Sequence, residues 1–69
     1  MGTLTRSDFT DREFEILSLL AEGASAKQIA HQLFLSINTV TTHRKNILNK
    51  SNAPNTTALV VYLVRKGWL

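Results

Sequence analysis

Apolar side chains recur along this chain at intervals of three and four residues, and nowhere do they alternate with a period of two for long enough to suggest a sheet. From Asp11 onward, Ile16, Leu17, Leu20 and Ala21 share one side of a helix, and Asp11, Glu15, Ser18 and Glu22 fall on the other. Thr10 stands three residues before Glu13, a capping-box spacing, and Phe9 and Phe14 take the two positions of a hydrophobic staple. Gly23 supplies a left-handed stop. A second, short helix begins after Ser25, with Gln28 repeating the capping-box pattern. Its Ala26, Ile29, Ala30 and Leu33 face inward, and Lys27, Gln28, His31 and Gln32 outward. Leu33, Phe34 and Leu35 must hold the next turn, because Ser36 already reads as the following N-cap.

The third helix takes its core edge from Ile37, Val40, Ile47 and Leu48. Asn38, Thr41, Thr42, Lys45 and Asn49 line its other face. After a connector over residues 51–54, with Asn52 suited to a left-handed conformation, Asn55 caps a fourth helix. The middle of that helix, Ala58 to Val64, is apolar on every side, which predicts burial on two faces. Gly67 ends it. The expected architecture is all-α, with four helices over about residues 11–22, 26–33, 37–50 and 56–66. Residues 1–8 carry no period and are expected to be a flexible leader or linker remnant ahead of a folded unit over 9–69. Thr10, Glu13, Leu17, Ala30, Val40, Ile47, Leu59 and Leu63 are the expected core and cap residues. Glu13 lies one turn before Leu17, so its expected role is structural: a cap and a buried hydrogen-bonding group.

Length narrows the possibilities. Sixty-nine residues allow one domain near the lower limit for a self-sufficient core, and without cysteine there is no disulfide to help it. The absence of cysteine fits a reducing compartment, and the cytoplasm is the expected location. No stretch approaches the roughly 18 apolar residues that span a bilayer, so no membrane partner is expected. There is no glycine-rich phosphate loop, no cysteine nucleophile and no Ser/His/Asp set. His31 and His43 lie on different helices with no clustered carboxylate. Neither an enzyme nor a metal or cofactor site is expected.

The distribution of charge says more than its total of +3. All five acids lie in the first 22 residues and leave that stretch at −3 against its two arginines. Residues 23–69 hold six lysines and arginines and no acid, a net of +6. Such polarity fits a surface that meets a polyanion, although a solvated basic face would look the same. The second and third helices, joined by a tight turn, sharpen the picture. Ala30 is small enough for two helices to cross closely. Val40 and Ile47 anchor the third helix from beneath and leave Thr41, Thr42 and Lys45, with Asn38, pointing outward as candidate readers of base edges in double-stranded DNA. Ser25 and Lys27 at one helix start, Ser36 and Thr39 at the other, together with Arg44 and Lys50, are candidate phosphate contacts.

Three motifs then carry a resemblance. Phe9-Thr10-Asp11-Arg12-Glu13 resembles the opening Leu-Thr-x-Arg-Glu of the LuxR/GerE family. Gly23-x-Ser25-x-Lys27-x-Ile29-Ala30 is similar to its second-helix motif, and Ser36-x-x-Thr39-Val40-x-x-His43-x-x-x-Ile47 to its recognition-helix motif. The match runs without gaps over about residues 9–66. It implies a helix-turn-helix output domain of a bacterial transcription regulator that binds DNA as a homodimer through the fourth helix, for which Thr57, Val61 and Val64 are the candidate contacts. RNA polymerase is a further candidate partner. Ser51 stands where the family often has a core leucine, which predicts a looser joint between the third and fourth helices. Two other readings fit the same helices: the promoter-recognition region of a sigma factor, and a helical protein-interaction module that does not bind DNA.

Overall fold

A computed structural model describes residues 4–69. Four α-helices follow one 3-10 turn at Arg6–Asp8: α1 (Asp11–Ala21), α2 (Ala26–Leu33), α3 (Ile37–Ser51) and α4 (Thr56–Arg65). Among the described residues there is no strand. The helix ends agree with the sequence expectation to within one residue, the scatter inherent in any helix boundary.

Each helix starts where a side chain satisfies a free amide. Glu13 N–H donates to Thr10 Oγ1 at 3.1 Å, and the Glu13 carboxylate accepts from Thr10 N–H at 2.8 Å. Ser25 and Gln28 make the same reciprocal pair at 3.1 and 2.8 Å. Thr39 N–H donates to Ser36 Oγ at 3.0 Å, and Ala58 N–H to Asn55 Oδ1 at 2.8 Å. Helices this short are marginal alone, so caps worth about 0.5–2 kcal/mol each matter here.

Left-handed residues follow α2 and α3 directly. Asn52 has φ 56° after α3, while Gly23 (φ 89°) and Gly67 (φ 76°) lie just beyond α1 and α4. The less expected one is Phe34, with φ 57° directly after α2. Two bonds hold it there: Phe34 N–H reaches the carbonyl of His31, and Leu35 N–H reaches that of Ala30 at 2.8 Å. The Phe34 side chain gains nothing in return, since it is 96% exposed.

The core draws on all four helices: Phe9, Ile16, Leu17, Ile29, Ala30, Val40, Ile47, Leu59 and Leu63 are buried together. The most extensive helix pairing is α2 with α3, and buried Ala30 lies in α2. The staple forms as a T-shaped pair, Phe9 and Phe14 with centroids 5.7 Å apart.

Three expectations need correction. Ala21, expected inward, is exposed, and half-buried Leu19 joins Leu20 against the core. Ile37, expected at the core edge, is 50% exposed. Helix α4 buries Leu59 and Leu63 but leaves Val61 and Val64 45% and 51% exposed, so it is not covered on two faces. The segment read as a leader or linker remnant is described from residue 4 onward. In its described part, Leu4 packs against the core, Thr5 N–H donates to Asp8 Oδ2 at 2.8 Å, and the Arg6 guanidinium lies 5.1 Å over the Phe14 ring. A single 3-10 turn is too short to show a period. Residues 1–3 lie outside the described residues.

At the other end, Trp68 N–H reaches the Leu63 carbonyl at 3.0 Å, and its ring meets Tyr62 edge-on at 6.3 Å. Trp68 and Leu69 thereby close against the core beside α4. Ser51 ends α3 buried, and both sides of its hydroxyl are used: it donates to the Leu48 carbonyl and accepts from Ala53 N–H. Hydrogen bonds therefore replace leucine packing in the α3–α4 joint.

A left-handed, exposed phenylalanine costs about 1–2 kcal/mol relative to an unstrained residue. Phe34→Asn is therefore expected to raise stability by about 1 kcal/mol, read as the free energy of urea unfolding. A loss of stability would show that the ring contributes a contact the exposed geometry does not reveal.

Candidate nucleic-acid interface

The second and third helices and their turn place the candidate residues. Asn38, Thr41, Thr42, Lys45 and Asn49 are all exposed on α3, and Val40 and Ile47 are buried beneath them. No acidic side chain occurs in α2, α3 or α4. Thr41 Oγ1 donates to the Ile37 carbonyl and Thr42 Oγ1 to the Asn38 carbonyl, both at 3.0 Å.

Ser25 and Lys27 are exposed at the start of α2, and Ser36 and Thr39 at the start of α3. The two serine hydroxyls cap the third amide of each helix, and Ser36 Oγ also lies 2.8 Å from Thr39 Oγ1. The first amides of each helix, those of Ala26 and Lys27 and of Ile37 and Asn38, have no carbonyl one turn earlier to bond. Each start thus offers N–H groups and the positive end of a helix dipole to an anion.

Arg44 is half-buried and sits between two depressions. On one side it lines a shallow hollow with Thr41, Lys45, Leu48 and Asn49. On the other it lines a groove with Leu20, Thr56 and Val60. Its Nε is buried without a hydrogen-bond partner. Thr57, Val61 and Val64 lie exposed on α4, and Thr57 and Val61 line the same groove as Arg44.

Lys50 does not join the other candidates. Its ammonium bonds both oxygens of Glu13, at 2.7 and 3.0 Å, and lies 5.8 Å over the Phe9 ring. The Glu13 side chain is only 7% exposed and that of Lys50 33%. Burial works to raise the Glu13 pKa, but the hydrogen bond from Lys50, that from Thr10 N–H and the nearby positive charge outweigh it. The net effect holds the carboxyl below its ordinary value. This pair ties the start of α1 to the last turn of α3. It joins residues 37 positions apart, a separation that no local pattern reveals. The cue available in the sequence was an inward-facing Glu13 in need of a cation.

Two residues that the sequence placed in the turn and at the core edge of α3 are exposed apolar groups beside the candidate face. Phe34 and Ile37 stand bare at the turn and at the first position of α3, on either side of the α3 cap.

Comparison with known proteins agrees with this geometry. Residues 7–63 match the family model described as GerE, bacterial regulatory proteins of the luxR family. The chain belongs to this family, whose class is the DNA-binding transcription regulators. It is 45% identical over 64 residues to the transcriptional regulatory protein LiaR of Bacillus subtilis (strain 168), covering 93% of this chain and 30% of that protein. The regulatory protein SdiA of Escherichia coli (strain K12) is 45% identical over 60 residues, 87% of this chain and 25% of its own length. The oxygen regulatory protein NreC of Staphylococcus carnosus (strain TM300) is 44% identical over 58 residues, 84% and 27%. The chain therefore spans less than a third of each of these relatives.

The Glu13 geometry sets a pH dependence. A carboxyl held below its ordinary value in the folded state is protonated first in the unfolded chain. Its stabilisation is complete above the unfolded value of about 4.5 and is lost as pH falls through the folded value. Glu13→Gln is expected to lower stability at pH 7 and to flatten this acid limb, measured by urea unfolding between pH 7 and pH 3. An acid limb as steep as the parent's would mean that another carboxylate carries it.

Proposed function

We propose that the chain is the sequence-specific DNA-binding output domain of a bacterial transcription regulator, with α3 lying in the major groove. The observation that carries this reading is the exposed, acid-free face of α3, held out from the body by Val40 and Ile47 beneath it. Asn38, Thr41, Thr42 and Lys45 face the bases. Ser25, Lys27, Ser36 and Thr39, at two helix starts, hold phosphates, and the terminal nitrogens of Arg44 flank them. Lys50 leaves this set because its charge is engaged by Glu13. Membership of the luxR family supports this reading over a sigma-factor region or a pure protein-interaction module.

Two copies pair through α4, where apolar Val61 and Val64 stand exposed in line with Thr57, and read half-sites one helical turn apart, about 34–36 Å. The domain works in the cytoplasm. Among the described residues, no helix is long and apolar enough to cross a membrane.

Selection of bound duplexes from a random pool tests the reading as a whole, because the recovered sites report binding, specificity and half-site symmetry together. Two variants then separate the roles. Lys27→Ala is expected to weaken binding to all sequences and to reduce the log–log salt slope by about 1. Lys45→Ala is expected to cost about 1–3 kcal/mol, mainly on the selected site. Equal effects of both on selected and random DNA would refute the division into readers and clamps. Val61→Glu is expected to abolish self-association in sedimentation while leaving the helical circular dichroism unchanged. A dimer that survives the substitution would place the contact elsewhere.

A further inference from the structure

In Thr41 and Thr42, candidate readers of base edges, the hydroxyl can in principle donate or accept and the methyl can pack on thymine. The structure removes the donor half of the hydroxyl's capacity. Both hydroxyl hydrogens are spent inside the helix, on the carbonyls of Ile37 and Asn38 at 3.0 Å each. A hydroxyl bonded one turn back lies against its own backbone. Its oxygen can still accept, but it no longer offers a donor outward. What each threonine carries past the helix surface is its Cγ2 methyl.

A third apolar group stands beside them. Ile37 opens α3 and is 50% exposed. It lies four residues before Thr41, on the same side of the helix. Two turns of α3 thus present one isoleucine side chain and two methyls, set among Asn38 and Lys45. The apolar group that a base offers in the major groove is the C5-methyl of thymine.

We propose that Ile37, Thr41 and Thr42 recognise thymine by contact with its C5-methyl, while Asn38 and Lys45 supply the donors to purine edges. The preferred site is therefore one with thymine at the steps beneath the first two turns of α3. This inference rests on α3 being the helix that enters the groove, and it adds Ile37 to the residues that determine specificity.

The test replaces thymidine by deoxyuridine, which deletes the methyl and leaves every hydrogen-bonding edge intact. A defined site is first selected from a random duplex pool with the 69-residue chain. It is then synthesised with uracil at each thymine in turn. Binding is expected to weaken roughly fourfold for each contacted methyl removed. Thr42→Ser keeps the hydroxyl without the methyl and is expected to lose the thymine-over-uracil ratio at its step. Thr42→Val keeps the methyl without the hydroxyl and is expected to retain that ratio. Ile37→Ala is expected to reduce the ratio at a neighbouring step.

Equal binding of the thymine and uracil duplexes by the parent chain overturns the methyl contact and leaves the DNA-binding reading standing. A uracil effect of the same size in the parent, Thr42→Ser and Ile37→Ala would belong to the DNA and not to these side chains, and overturns it equally. A pool from which nothing is retained overturns the DNA reading itself. The decisive comparison uses the unaltered protein, so it does not depend on whether any variant folds.

Discussion

A buried carboxylate holds the ends of two helices together. Glu13 closes the cap of α1 through Thr10 and at the same time accepts Lys50 from the last turn of α3. The chain has no cysteine and, among the described residues, a core of only nine buried apolar side chains, so the placement of α3 relies on a few such ties. Removing Lys50 would strand the Glu13 carboxylate in a largely dry place, which costs more than the intact pair is worth in isolation, whereas Lys50 is a third exposed and keeps access to water. The pair also determines what α3 can do for function. Its far end is anchored to α1, its underside rests on the core through Val40 and Ile47, and only then is the remaining face free to meet a ligand.

The pattern of the chain was most legible where the physics is local. Caps at Thr10, Ser25, Ser36 and Asn55 are signalled by residues three positions away, and all four form. Gly23, Asn52 and Gly67 end their helices for a conformational reason that needs no knowledge of the rest of the fold. The misjudged positions share a different character. Ala21 and Ile37 are terminal residues of their helices. Periodicity assigns a side of a helix but not how far along that side a neighbouring helix extends, so the ends are where inward and outward are confused. The same limit made α4 look buried all round, when Leu59 and Leu63 are buried, Val60 and Tyr62 pack partly against the core, and Val61 and Val64 stay exposed.

The candidate site was legible in composition but not in chemistry. Acid-free polarity marked the face of α3, and the motif likeness marked the class. The ion pair between Lys50 and Glu13 is a tertiary fact and could not be read from spacing. Neither could the left-handed Phe34, because phenylalanine is not a residue that announces a helix stop. Its conformation follows from the need to turn sharply enough for Ser36 to begin α3, with Leu35 N–H anchored to the Ala30 carbonyl.

The back-bonded threonines of α3 have a thermodynamic consequence for any complex they enter. A side chain already held in one orientation by its own helix surrenders little rotational freedom when a partner arrives. Thr41 and Thr42 therefore form a preorganised, low-entropy-cost surface at the centre of the face, whereas the four-carbon stem of Lys45 must be immobilised at each encounter. On the proposed reading, geometric selectivity resides in the two short, rigid residues, and the long flexible cation contributes reach and charge at a larger ordering penalty.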